Sequence, residues 1–408
     1  MIRIGSGWKG GIGRTLAALA LAAGVFGGAA RQAEAHGRHY HHGSTIDYNN
    51  PRWMAALPDA TPLAALSIPA THDTMALYGG DLAQTQSLKL ADQLNAGVRG
   101  LDIRLRHIGD AFAIHHGVVY QRANFNDVLN ATTAFLRANP SETVLMRVKE
   151  EHTPEGNTRP FEATFAAYRN DPAYSAFFWA GNQPPTLGAA RGKIVLLDNI
   201  PGDFGIPWSS LNIQDDYEVP TIFDIDDKWD KARRHFEATE AGPLDQLYVN
   251  FLSGSSVGAF PNAVAGGTMG LTGVNHFAYD YLAGPTVNRA GLVMMDFPGR
   301  DLIDIIIQRN AAPFTSDGVY LYEHNSYGGM VFRVGRCAPG VGAYSVHLPT
   351  DFNDKTSSLK ILGSCAVTLF EHGCFQSGGS SRLVASAASL GGTGVGNDRA
   401  TCVAVGAR

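Results

Sequence analysis

Seven short apolar runs punctuate the first three quarters of the chain: ALSIPA (65–70), RGLDIRL (99–105), AFAIHH (111–116), TVLMRVK (143–149), KIVLLD (193–198), LYVNFL (247–252) and GLVMMDF (291–297). Each is rich in Val, Ile, Leu or Phe and is apolar at nearly every position, the pattern of a strand covered on both faces. Between several of them the period lengthens to that of a helix, in SLKLADQLNAG (87–97), FNDVLNATTAFLRAN (125–139) and DLIDIIIQRN (301–310). Strands that alternate with helices predict a parallel sheet. About seven strands in this stretch predict a closed or distorted (β/α) barrel.

After about residue 315 the helical period disappears. Gly and Ser become frequent, and GVYLYE (318–323), GMVFRV (329–334), SLKIL (358–362), AVTLFEH (366–372) and SRLVA (381–385) read as short antiparallel strands. RNAAPFTSDG (309–318) is the linker. The expected organisation is α/β followed by a separate all-β domain.

Composition narrows the partners. A net charge of -5 and the lack of a basic stripe argue against nucleic acid. Outside the N-terminus no apolar run is long enough to span a membrane. The N-terminus itself reads as an export leader: Arg3, Lys9 and Arg14, then the apolar TLAALALAAGVFGGAA, then the small-residue site AEA before His36. Residues 1–35 are expected to be removed and the protein secreted. HGRHYHH follows, with His36, His39, His41 and His42, and residues 36–50 are expected to be a flexible, solvated segment rather than a metal site. All four cysteines, Cys337, Cys365, Cys374 and Cys402, lie in the all-β region. In an oxidising compartment they predict two disulfides, with three pairings open. The protein is expected to be a monomer.

The polar residues fall in a telling place. His72 and Asp73 follow the first apolar run; Asp102, Arg104 and Arg106 close the second; His115 and His116 end the third. Lys149, Asp198 and Asp296 end the fourth, fifth and last. A barrel gathers such strand ends at one face, where chemistry is done. Two histidines on separate strands can act as general base and general acid. Arginine offers a forked donor for phosphate, Lys149 adds positive charge, and carboxylates can orient the rings. These are the parts for cleaving a phosphodiester through an internal hydroxyl.

The ordered set LSIPATHDTM, LNAGVRGLDIRLRH, FAIHHGVVY, FLRANPSETVLMRVKEEH, ARGKIVLLDN, IQDDY, LYVNF and VMMDF, from about Trp53 to Asn310, resembles the catalytic domain of bacterial phosphatidylinositol-specific phospholipase C. The resemblance implies a distorted TIM barrel over 51–312. It implies His72 as the general base toward the inositol 2-hydroxyl, oriented by Asp296. It implies His116 as the general acid assisted by Asp73, and Arg104 at the phosphoryl oxygens beside Asp102. Lys149, Asp215, Tyr217 and Asn199 would contact the inositol ring, and His115 would be a structural neighbour. The products would be diacylglycerol and a cyclic inositol phosphate, making the enzyme a lyase of phosphatidylinositol or its glycosylated forms. Because Arg104 stands where other members use calcium, the barrel is expected to need no metal, in preference to a zinc site at His72, His115 and His116. One departure is plain: after GKIVLL the familiar enzymes carry Lys-Arg, whose arginine contacts inositol, and this chain carries Asp198-Asn199. That would reverse the charge near the ring.

Two stretches of the all-β region repeat. YEHNSYGG (322–329) and FEHGCFQSGG (370–379) are followed by NDKTSS (353–358) and NDRATC (397–402). The pattern resembles a βγ-crystallin domain of two Greek keys over 318–406. The resemblance implies calcium sites at Asn353, Asp354 and Ser357 and at Asn397, Asp398 and Thr401, each motif serving one site, the second weakened by Cys402. Hard oxygen donors suit that ion. IPWSS around Trp208 and VGAFPNAV around Phe260 are candidate membrane-contact segments. A non-catalytic lipid or glycan binder, and a phosphodiesterase with another head group or a soluble substrate, are the alternatives.

Overall fold

The structure, a computed structural model, describes residues 39–46, 48–283, 287–310, 318–335, 344–348 and 353–407. The leader, His36 and Cys337 lie outside them.

The apolar runs form the expected parallel sheet. Strand β1 (Ile68–Thr71) pairs with β2 (Gly100–Ile108). The AFAIHH run departs from the barrel pattern: β3 (Ala111–His116) folds back antiparallel on β2, and β4 (Val119–Asn124) pairs antiparallel with β3. Gly109 and Asp110 both adopt positive φ, so the chain reverses there before a crossover can form. The parallel set continues with β5 (Val144–Glu150), β6 (Ile194–Asn199), β7 (Ile206–Pro207), β8 (Asn212–Gln214) and β9 (Tyr248–Phe251). After the small hairpin of β10 (Gly267–Thr268) and β11 (Leu271–Thr272) comes β12 (Leu292–Met295). The order is β7-β6-β5-β2-β1-β12-β9-β8, every neighbouring pair parallel. The edge strands β7 and β8 are consecutive in the chain but unpaired with each other among the described residues. Both are very short, and Pro207 brings no N–H to a ladder. The result is a (β/α) barrel opened at one seam.

Alternation along each strand divides the core. Leu292, Met294, Ile68, Ala70, Leu145, Val195, Leu197, Val249 and Phe251 fill one cluster, while Val293, Met295, Leu101, Ile103, Met146, Val148 and Leu196 pack in another with the helices. Helices Phe125–Ala138 and Arg300–Gln308 supply apolar faces to the second cluster, the first opened by a capping box between Asn124 and Asp127. Gly100 has a steric reason: a Cβ there would lie 2.4 Å from the Ala70 Cβ across the β1–β2 pair.

Within the histidine-rich segment His39 and Tyr40 are buried, whereas His42 to Thr45 are exposed. The His39 ring lies 4.2 Å from that of Tyr279 and 4.6 Å from that of His276, its carbonyl accepts from Gly299 N, and Tyr40 bridges Pro298. Tyr40 and Tyr48 are buried, so this segment covers the turn after β12 with its aromatics.

The all-β region forms two sheets from β13 (Gly318–His324), β14 (Gly328–Gly335), β15 (Tyr344–His347), β16 (Ser358–Leu362), β17 (Cys365–Phe370), β18 (Ser380–Leu383) and β19 (Cys402–Ala407). Their orders are β14-β13-β16 and β15-β19-β17-β18. The third strand of the first unit thus sits in the second sheet, and Ala387 of the second unit bridges Leu359 in the first. This reciprocal exchange interlocks two Greek keys around Val319, Leu321, Leu359, Val367, Leu369, Val403 and Val405. Cys374 and Cys402 form a disulfide, and Cys365 is also disulfide-bonded.

Candidate active site

Strand β1 stops at Thr71 because the next residues turn away. His72 N still bonds Met295 O, and Asp73 adopts a left-handed φ of 43°. Aspartate tolerates that conformation better than most side chains. The turn is tied down from beneath: Thr74 N donates to Asp102 O, Asp102 N to the Thr74 hydroxyl, and Asp73 N to Asp102 Oδ2. Gln86 Nε2 donates to the carbonyls of His72 and Met295, which fixes β1 against β12 at the site.

On this base six of the expected residues meet. His72 Nδ1 lies 2.8 Å from Asp296 Oδ1, and its Nε2 lies 2.8 Å from Arg104 Nη2. Arginine can only donate, so Nε2 carries a lone pair and Nδ1–H points at the carboxylate. Arg104 Nη1 contacts Asp73 Oδ2 at 3.1 Å, and its Nη2 contacts Asp102 Oδ2 at 3.2 Å. His116 Nδ1 donates to Ala83 O at 2.7 Å, leaving Nε2, 3.4 Å from Asp73 Oδ2, as the atom that exchanges protons with the pocket. The two imidazoles stand nearly perpendicular, 6.4 Å apart.

The pocket separates these groups electrostatically. Burial and then the Arg104 charge push His72 well below its ordinary range, which keeps it neutral. Burial, then Asp73, raises the Asp296 carboxyl well above its own. Asp73 is raised to about 6 by burial, against the opposing pull of Arg104 and His116. Burial acts the same way on Asp102, but Arg104 and Arg147 outweigh it and hold that carboxylate ionised.

Other expectations resolve differently. Arg106 leaves the site and pairs with Glu155. His115 is buried on the opposite face, stacked on His152 and near Tyr120, so it is a structural neighbour of His116. Lys149 pairs with Glu151 at 3.4 Å. Asp215 follows β8; burial raises its carboxyl, and Arg147 is the largest charge opposing that rise. Tyr217 is exposed. The Asp198 carboxylate accepts from Ile200 N and Phe204 N and so clasps its own loop. Asn199 Oδ1 is taken by Arg147. Trp208 lies against Arg147, 4.1 Å from guanidinium to ring, rather than standing out as a membrane wedge.

Arg147 and Glu151 were missed by the sequence reading. Arg147 precedes Lys149 by two residues on β5, and Glu151 follows it by two, just past the strand's end; that spacing of two, which places residues on one face, was the available signal. Glu151 Oε1 accepts from Gly117 N at 2.8 Å and thereby anchors the turn after His116.

In the all-β region the two motifs exchange partners. The Ser357 hydroxyl bonds Asp398 Oδ1 at 2.6 Å, and the Thr401 hydroxyl lies 3.4 Å from Asp354 Oδ1. Asp354 and Asp398 both have a φ of 56°. The side chains of the two motifs are thus joined crosswise. The interlocked strands place the loops crosswise.

Fold and site together define a parallel-barrel enzyme of acid–base phosphodiester chemistry. Residues 60–199 match the family described as "Phosphatidylinositol-specific phospholipase C, X domain". The chain is 35% identical over 288 residues to a 1-phosphatidylinositol phosphodiesterase of Listeria monocytogenes, covering 64% of this chain and 84% of that one. It is 30% identical over 258 residues to the protein of the same name from Staphylococcus aureus, covering 55% and 81%. The solved phosphatidylinositol-specific phospholipase C of L. monocytogenes superposes with a TM-score of 0.55 at 32% identity, over 64% of this chain and 99% of that one. The chain belongs to the phosphatidylinositol-specific phospholipase C family.

Proposed function

We propose that the protein cleaves the glycerol–phosphate bond of phosphatidylinositol, releasing diacylglycerol and a cyclic inositol phosphate. The observation that carries this is the opposed state of the two histidines: a neutral His72 with its Nε2 lone pair toward Arg104, and a His116 whose Nε2 faces a carboxyl titrating near 6. Substrate phosphate draws Arg104 from His72. The freed Nε2 takes the proton of the inositol 2-hydroxyl, and that oxygen bonds to phosphorus. The bond from phosphorus to the glycerol oxygen breaks, and His116 Nε2–H protonates the departing oxygen. The proton gained by His72 is balanced by the one lost from His116, and exchange with water restores both. Asp296 stabilises the imidazolium at His72, as the carboxylate of a hydrolase triad does. Arg104 supplies the positive charge at phosphorus, so the cycle runs without a metal.

Lys149, Asp215 and Tyr217 rim the head-group pocket in this reading. Removal of a secretory leader (1–35), a barrel over 51–312 and a Greek-key domain over 318–406 complete the proposed organisation. The protein acts as a secreted monomer at membranes bearing phosphatidylinositol or glycosyl-phosphatidylinositol. No helix among the described residues is long and apolar enough to cross a membrane. The two crosswise clusters, Asp398 with Ser357 and Asn397, and Asp354 with Thr401 and Asn353, are the proposed calcium sites. Incubation with vesicles of phosphatidylinositol, phosphatidylcholine and phosphatidylserine tests the activity. Diacylglycerol should form only from the first, and turnover of phosphatidylcholine alone would overturn the head-group assignment.

A further inference from the structure

Arg147 has no part in the acid–base steps, yet it reaches the same site through Asp102. It is 5% exposed. Its Nε and Nη2 both donate to Asn199 Oδ1, at 3.1 and 2.8 Å, and its Nη1 donates to Asp102 Oδ1 at 3.3 Å. One guanidinium face lies on Trp208 at 4.1 Å. Three of its five N–H groups are thus engaged, and the other two make no hydrogen bond among the described residues. Buried donors are costly when left unpaired. Its direct partners leave room for a ligand: Asp102 is shared with Arg104, the second acceptor is a neutral amide, and Asp215, whose carboxyl feels the Arg147 charge, makes no hydrogen bond to it among the described residues. The more deeply buried Arg99, by contrast, has its own carboxylate in Glu142. Because both bonds fall on Asn199 Oδ1, the Asn199 amide NH2 faces away from Arg147 as a further free donor.

We propose that Arg147, clamped by Asn199 and Trp208, is a specificity-determining residue that donates hydrogen bonds to hydroxyl oxygens of the substrate's polyol ring. The guanidinium arrives from β5 and is held by the asparagine that ends the adjacent strand β6. Two spare N–H groups in a rigid fork, with an amide beside them, suit vicinal hydroxyls better than a single point charge would. The inference rests on the phospholipase reading and deepens it.

The test uses the full chain, a short-chain phosphatidylinositol dissolved below its micellar concentration, and free myo-inositol as competitor. Arg147→Gln should raise KM roughly ten- to hundredfold, the size of losing hydrogen bonds from a charged donor. It should weaken inhibition by myo-inositol by the same factor, while kcat changes by less than about threefold. Arg147→Lys should recover part of the loss, since it restores the charge but not the fork. Should Arg147→Gln fail to fold, Asn199→Ala, which removes the clamp and the neighbouring amide donor, should move KM and inhibition in the same direction. Unchanged KM and inhibition would overturn the proposal, and so would a fall in kcat alone, which would mean that Arg147 acts only through Asp102. A wild-type protein that leaves phosphatidylinositol intact refutes the phospholipase reading instead. Calorimetry with myo-inositol then still decides: binding lost in Arg147→Gln supports the role, and equal binding or none in both proteins refutes it.

Discussion

Replacing His116 by alanine separates the roles of the two histidines. The Nδ1 of His116 is committed to Ala83 O, so only its Nε2 can deliver a proton to the leaving oxygen. Losing a general acid costs about 10²–10⁴ in rate, or about 2.7–5.4 kcal/mol of barrier at 1.36 kcal/mol per tenfold. The structure places the loss in the lower half of that range, because Asp73 Oδ2 lies 3.4 Å from the vacated nitrogen and titrates near 6. At pH 7 about a tenth of Asp73 would carry a proton and could substitute poorly. The deficit of His116→Ala relative to wild type should therefore shrink by roughly tenfold or more between pH 7.5 and 5.5, as Asp73 protonates. An inositol phosphate ester of p-nitrophenol, whose leaving group needs no proton, should bring the variant to within about tenfold of wild type. The same ester should not rescue His72→Ala, which lacks the base. The assay is nitrophenolate release at each pH, alongside diacylglycerol release from the natural lipid. Equal rescue of both variants would refute the assignment, and a deficit independent of pH would refute the part given to Asp73.

Three further outcomes follow. Arg104→Lys should lower kcat severely, by about a hundredfold or more, since lysine cannot reproduce the fork that spans Asp73 and Asp102 and turns to phosphate; near-normal turnover would contradict its role. Asp73 binds its proton more tightly folded, near 6, than unfolded, near 3.8, so its ionisation costs stability as pH rises through that window. Asp73→Asn should accordingly lose activity yet melt higher at pH 7.5, by an amount on the order of 1–3 kcal/mol, and gain little at pH 4; no difference between the two pH values would contradict it. Calcium should raise the melting temperature of the Greek-key domain within the full chain, with affinity in the micromolar-to-millimolar range. Asp354→Ala should spare the cluster of Asp398 and Ser357, and only the combination of Asp354→Ala with Ser357→Ala should abolish both sites. Loss of one site from that pair would restore the one-motif reading.

Much of this was legible along the chain because strands buried on both faces advertise themselves as unbroken apolar runs, and the ionisable residue ending each run marks the face where they converge. His72, Arg104, His116 and Asp296 are all of this kind. What failed has physical causes. AFAIHH has the apolarity of a barrel strand but is joined to β2 by a turn too short for a parallel crossover. Asp198 and Asn199 end their strand as a charged and a polar residue, and there the carboxylate takes nearby backbone N–H groups while the amide turns its oxygen to the Arg147 guanidinium. Neither preference is visible without the neighbouring strand. The calcium motifs were read locally, although the strands that carry them exchange between sheets.

Attack by the substrate's own hydroxyl leaves an isotopic signature. Phosphatidylinositol vesicles are digested in water enriched in oxygen-18, and the first phosphorus-containing product is followed by phosphorus NMR and mass spectrometry. The first product should be a cyclic inositol phosphate without solvent oxygen, with label entering only if the ring is opened later. A linear inositol phosphate, labelled from the first turnover, would contradict it.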